Sequence, residues 1–424
     1  MNIRNLGHDK WELMFFMALS MTTFLLISSI STAYAGPVER EQAKRIHDRL
    51  TGVPPSDVDP DDTGPLQSDL KNMEDLIVGG DAVGAARYAM DPTQNSRAKY
   101  FYNVTLKNWV TPWTNEEQTM FAPLNDYTAL VIGMIRDDVP FNTVLSADLF
   151  YTGTGGGLPA FSNMNNDHFE ALENNNVDLS DTSLFTSRPQ NNLNGAPAGI
   201  VTTRAAGQAF FKDGTNRAMF RFTLMNYLCR DLEDVKDVTR VPDRIRQDVS
   251  RSPGGDSSIF LNSCIGCHAG MDPLAQAYAY YEWVEDANGD NGHTIYTQGD
   301  VQAKYHINST NFEHGYRTPN ENWTNYWREG PNAGLGWNGP NSSGTGASEM
   351  GDELANTDAF AQCQVEKVYK QVCLQDPISS HANNLSLPPS QAGLQGIEEL
   401  TQSFKTNYNM KQLFAGVAAL CMGN

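Results

Sequence analysis

Cys264-Ile265-Gly266-Cys267-His268 places two thiols three residues apart with an imidazole directly after the second, and this grouping constrains the chain more than any other feature. Thiols at that spacing can add across the two vinyl groups of a haem, and the following histidine then lies under the iron as its proximal ligand. The chain holds 6 Cys and 8 His in 424 residues, and at those frequencies about 0.002 such pentapeptides arise by chance, so the grouping is a signal. Three plainer readings compete with it. A structural zinc site needs a second ligand pair, and no other Cys-x-x-Cys or Cys-x-x-His occurs. A thioredoxin-type redox disulfide wants a βαβ setting that the surrounding sequence does not offer. A purely structural disulfide leaves His268 without a role.

The N-terminus supports the haem reading through its compartment. Arg4 and Lys10 precede a mostly apolar run from Leu13 to Ile30, and Ala33-Tyr34-Ala35 then gives the small-x-small pattern of a cleavage site before Gly36. Residues 1–35 are expected to be a secretory signal peptide and the protein to be periplasmic, where c-type haem is attached. An uncleaved membrane anchor is the alternative, because the run is long enough to span. No later segment reaches spanning length. The formal net charge is −20, which repels nucleic acid and anionic membrane and suits a basic patch on a redox protein partner. An acidic surface that only maintains solubility explains the charge equally well.

The pattern along the chain predicts a mainly α fold with long Gly/Asn-rich loops. Residues 36–95 read as a polar segment with a linker at Pro54–Asp62. Residues 96–199 read as a helical region ending in a Gly/Asn-rich connection, with helices over about Asn125–Asp137 and Thr143–Tyr151. The cluster Gly153–Gly157 lacks the Gly-Lys-Ser/Thr ending of a phosphate loop. Residues 200–424 read as a monohaem cytochrome c-like region, with helices over Thr203–Lys212 and Asn216–Leu232. The second is apolar on nearly every face and belongs in the core. Between Asp358 and Cys373, Ala361, Val365, Val368 and Val372 form a helical stripe, with Glu366 and Lys370 as an exposed i,i+4 pair. Two further helices follow, marked by Leu394, Ile397, Leu400 and Phe404, then by Leu413, Phe414, Val417, Leu420 and Cys421.

The haem motif continues as Ala269-Gly270-Met271-Asp272-Pro273-Leu274 and is preceded by Gly199–Thr203 and Asn216-Arg217. In these features the chain resembles the Planctomycete-type cytochrome c family, over roughly residues 120–424. The resemblance implies one covalent haem c, a helical region before it, and a short closing helical domain matched here by Phe360–Cys363 and Phe404–Phe414. After Leu274 the chain departs from the family, which usually continues with Gly, an aliphatic residue and a Glu-aromatic-Asp run.

Function turns on the sixth iron position, since Met or His there favours electron transfer and an open site permits ligand or peroxide chemistry. Met350, in a Gly/Ser-rich stretch before the helix near Asp358, is one candidate distal ligand, and a solvent-exposed loop methionine is its plainer reading. His293, His306 and His314 are alternatives. Met271 lies too close to His268 to reach the opposite haem face. Tyr280, Tyr281 and Trp283 either wall the haem or pack in the core. A periplasmic haem enzyme of peroxidase or dehydrogenase type and a haem-bearing assembly partner stand beside the electron carrier as readings.

Cys229, Cys363, Cys373 and Cys421 suggest two disulfides in an oxidising compartment. On one helix, Cys363 and Cys373 would lie about 15 Å apart along the axis and cannot bond. Three helices running up, down and up bring Cys373 to Cys421 and leave Cys229 for Cys363. Asp286–Gly292 resembles the start of a calcium loop, but the glycine falls one position late and Thr297 stands where a glutamate is needed, so an Asx-rich turn competes with calcium binding.

Overall fold

The computed structural model describes residues 37–56, 68–155, 157–190, 193, 195–247, 249, 257–287, 291–306, 310, 313–376 and 391–423. The expected signal segment lies outside the described residues, as do positions 57–62 of the expected linker. Helix makes up 53% of the structure and the strands are few and short, so the fold is mainly α.

The polar N-terminal stretch folds into α1 (Pro37–Thr51), α2 (Asp69–Val78) and α3 (Ala82–Met90). Charged residues dominate α1, yet Ala43, Ile46 and Leu50 recur at helical spacing and are buried, which is the one apolar stripe a surface helix needs. These three helices pack on one another, and α1 and α3 also pack against the C-terminal helix Met410–Cys421.

The next helix, α4 (Asp126–Arg136), is buried along its whole length and starts where the Asn125 side chain accepts from the Thr128 N–H. A helix over Thr143–Tyr151 does not form. A single turn at Phe141–Thr143 leads to β1 (Phe150–Gly153), which pairs antiparallel with β2 (Phe185–Arg188). Aromatic and β-branched residues at 150–152 suit a pleated strand. The Tyr151 ring also lies flat against Gly133 of α4, where any Cβ would meet it at 2.3 Å. Behind β1 lies α5 (Asp167–Asn174).

Two helices close to their expected spans follow, α6 (Arg204–Phe210), capped by Thr203, and α7 (Arg217–Tyr227). The helix that carries Cys267 and His268 is α8 (Ile265–Ala275). After it come the hairpin β3 (Tyr281–Glu285) and β4 (Gly292–Tyr296), then the pair β5 (Asn322–Thr324) and β6 (Ser343–Thr345). The segment that carries Met350, expected as a loop, is the helix α9 (Gly346–Ala355).

The closing helices are α10 (Asp358–Cys373), α11 (Gln391–Phe404) and α12 (Met410–Cys421). Ala361, Val365, Val368 and Val372 of α10 are all buried, as their spacing predicts. The Glu366–Lys370 pair is replaced by other partners: Lys370 reaches Asp376 at 2.6 Å, and Glu366 accepts from Gln362. Both expected disulfides are present, Cys229–Cys363 and Cys373–Cys421, with Cα atoms 5.3 and 5.5 Å apart. One continuous apolar core runs from Ala43 on α1 to Cys421 on α12.

Candidate functional site

Cys264 caps the start of α8 and Cys267 and His268 lie in its first turn, and the spacing of i, i+3 and i+4 sets all three side chains on one side of the helix. A wide π-helical turn, Phe260–Cys264, leads directly into it, and the Phe260 ring lies 5.6 Å from the His268 ring. Both motif thiols are free, while the other four cysteines are bonded in pairs.

The segment after Leu232 runs alongside the motif. The Cys267 Sγ is 3.5 Å from the Leu232 carbonyl, and the Gly266 carbonyl accepts from the Asp237 N–H at 2.9 Å. A Cβ added to Gly266 would come within 3.2 Å of Val238. Burial, followed by the charge of Glu233, pushes the Cys267 thiol up. A thiol–disulfide exchange site works through a lowered thiol pKa, so this environment lacks that property. Among the described residues near the motif, Val238 is 71% exposed, Leu261 54% and Ile259 45%, and the charged Glu233 and Lys236 stand beside Cys267.

His268 is anchored from beneath. Its Nδ1 lies 3.1 Å from both carboxylate oxygens of Asp272, one turn further along α8. Arg217, the first residue of α7, donates to the same carboxylate from Nε at 2.8 Å and from a terminal nitrogen at 3.1 Å. Arg246 donates to the Asp272 backbone carbonyl at 2.7 Å. Asp272 is 1% exposed; burial opposes its ionisation, but the charges of Arg217, His268 and Arg246 outweigh burial and hold the carboxyl well below its usual range. An ionised carboxylate only accepts, so Nδ1 is the donor to it and Nε2 is the nitrogen left to face a ligand.

Asn216 explains why Arg217 is so placed. It adopts a left-handed conformation (φ 58°), which asparagine tolerates, and its side-chain amide donates to the carbonyls of Tyr278 and Tyr281 at 2.9 Å each. The start of α7 is thereby fixed to the chain that leaves α8. Sequence reading noted Asn216-Arg217 only as part of a resemblance and assigned no role to Asp272, whose partner is 55 positions away.

The remaining candidates lie elsewhere. Met350 is 1% exposed inside the core on α9, a helix that packs on the turn Gln276–Tyr278 after α8. His293 is on β4 opposite Val284, His306 ends the turn Ala303–His306, and His314 lies at the surface beside Glu313. Tyr281 stacks on Phe211 and donates to the Ala196 carbonyl, and Trp283 lies under the Arg204 guanidinium, so these aromatics pack within the fold. Asp286 and Asn291 flank the connection between β3 and β4, where the Asn291 amide donates to Asp286; positions 288–290 of the expected calcium loop lie outside the described residues. Among the described residues no three His, Cys, Asp or Glu side chains converge as they would on a bare metal ion. A cleft of about 580 Å³ lined by Asn125, Asn166, Glu170, Arg204 and Gln208 lies on another part of the surface. Among the described residues no helix is long and apolar enough to cross a membrane.

No family model, curated protein or solved structure matches the chain.

Proposed function

We propose that this chain is an exported, periplasmic monohaem c-type cytochrome that passes single electrons to a redox protein partner. The observation that carries the reading is the constellation on the first turn of α8. Two free thiols and an imidazole share one face, and the imidazole has its Nδ1 already committed to Asp272.

The residues present suit a haem. Cys264 and Cys267 would hold it by thioether bonds, each thiol adding its sulfur and its hydrogen across one vinyl group, and His268 Nε2 would supply the proximal ligand. Val238 lies against Gly266 of the motif, and Ile259 and Leu261 shortly precede Cys264 along the chain; all three are exposed apolar side chains of the kind that a flat apolar group covers. When bound, the haem supplies a one-electron iron couple. The chain's own part is to anchor the porphyrin edge, orient the imidazole and keep one side of the ring in an apolar setting.

Other features agree with this reading. Two disulfides are compatible with an oxidising compartment. The Leu13–Ile30 run with Ala33-Tyr34-Ala35 supports export, and the Met-Asp-Pro continuation resembles the Planctomycete-type cytochrome c family. The acidic surface suits a basic partner.

The test is a reduced-minus-oxidised spectrum, with pyridine haemochrome, of the full chain exported from cells that attach c-type haem. A low-spin c-type band with one haem per chain supports the proposal, and no band overturns it. A high-spin five-coordinate spectrum with rapid cyanide binding transfers the assignment to a haem enzyme. Met350→Leu then examines the sixth position: loss of the low-spin spectrum assigns the ligand to Met350, and its retention assigns it to another group.

A further inference from the structure

We propose that Asp272 and Arg217 form a positioning pair that sets the donor strength of His268 and so the reduction potential of the haem; this rests on the haem attachment proposed above. The argument begins with geometry. His268 and Asp272 are one helical turn apart, so α8 itself brings the imidazole over the carboxylate, and both carboxylate oxygens lie 3.1 Å from Nδ1. A histidine that donates its far nitrogen to a carboxylate becomes a more basic ligand at the other nitrogen, which favours the oxidised metal.

Arg217 acts on the same oxygens in the opposite sense. It comes from a different helix and forks across the carboxylate, with Nε to one oxygen and a terminal nitrogen to the other, so both oxygens are shared between imidazole and guanidinium. The carboxylate charge felt by the ring is therefore divided. Arg246 donates to the backbone carbonyl and not to the carboxylate, so it acts on that charge from a distance without competing for the two oxygens. Gly270, one turn before Leu274, holds the opposite side of α8 tightly against the Trp327 ring, where a Cβ would clash at 2.1 Å. The helix cannot roll to release the pair.

Opposite changes on the two partners test the proposal. Asp272→Asn should raise the reduction potential and move the His268 Nδ1–H proton resonance of the reduced protein upfield. Arg217→Gln should lower the potential and move that resonance downfield. Both are read by potentiometric titration and proton NMR of the holoprotein, with Asp272→Glu and Arg217→Lys as milder versions should either stronger change impair folding. Opposite displacements of both readouts support the pair. Resonances that stay in place or move the same way overturn it, as does loss of haem attachment in all four variants with both disulfides intact, which marks a purely structural role. A wild-type chain without a c-type haem overturns the proposed function itself, whereas a normal haem with an unmoved resonance removes only the positioning role.

Discussion

Two buried ionisable side chains, Asp272 on the motif helix α8 and Lys367 on the closing helix α10, meet burial in opposite ways. Asp272 is surrounded by Arg217, Arg246 and His268, and these keep it ionised. Among the described residues Lys367 has no acidic partner beside it: its Nζ sits 3.0 Å over the Trp113 ring, near Trp109 and Tyr227, and donates to the Asn226 carbonyl at 2.5 Å. Burial alone drives its ammonium well below the usual lysine range. Where compensating charges are supplied, burial preserves a charge and makes it directional; where only ring faces and one carbonyl are supplied, burial favours the neutral form. The first arrangement suits an electronic site, and the second suits a structural core.

The largest expected effect comes from the staple beside the lysine cage. Cys363 is one turn before Lys367 on α10, and its bond to Cys229 closes 134 positions of chain. Replacing both by serine should cost about 2–5 kcal/mol in guanidinium unfolding. An unchanged midpoint would show that ring packing alone holds the cage.

Next comes Asp272→Asn, which leaves Arg217 without its anion. A stability loss of about 3 kcal/mol is expected at neutral pH, softened by the partial exposure of the guanidinium. Because the folded pKa of Asp272 is depressed, its stabilising contribution is present above the unfolded value of about 3.9 and is lost as pH falls below it. The gap between wild type and variant should therefore narrow on acidification below about pH 4, and a constant gap would break the comparison.

Lys367 has the reverse dependence. Its folded pKa is also depressed, but for a base this means that the unfolded chain binds the extra proton, so stability rises with pH until the unfolded lysine titrates near about 10.4. Lys367→Met should abolish that rise and stabilise the protein by about 1 kcal/mol near neutrality, read from urea midpoints between pH 7 and about 10. A wild-type stability that stays flat with pH would place the charge back inside the cage.

The smallest effect belongs to Tyr127→Phe, which deletes a buried hydroxyl bonded to Tyr227 at 2.8 Å under the same aromatic cluster. A loss of about 1 kcal/mol is expected by urea unfolding, without change in the spectrum of the proposed haem. A spectral change would join the two regions functionally.

Much of the helical pattern was legible in the sequence because periodicity and caps act locally. The stripe of α10 and the apolar length of α7 are legible in the sequence, and both disulfides follow once helix geometry rules out Cys363–Cys373 and three closing helices are taken to run up, down and up. The spans around Thr143–Tyr151 read wrongly, since the close approach of Tyr151 to Gly133 is a tertiary contact that selects strand over helix. The helix α1 was hidden by its charges although Ala43, Ile46 and Leu50 carried the signal at helical spacing.

At the candidate site the division follows the range of the interactions. Cys264, Cys267 and His268 are adjacent along the chain, so their shared face follows from sequence spacing once the segment is helical. The clamp on Asp272 required α7 and α8 to meet, with Asn216 pinning the junction across 62 and 65 positions. Met350 shows the same limit, because a glycine- and serine-rich stretch became a buried helix only through the surfaces packed around it. The sequence by itself determined the donor atoms and their spacing, which depend on neighbours one turn away. Only the tertiary structure decided the charge around them, because a buried carboxylate's state depends on which distant cations the fold brings to it.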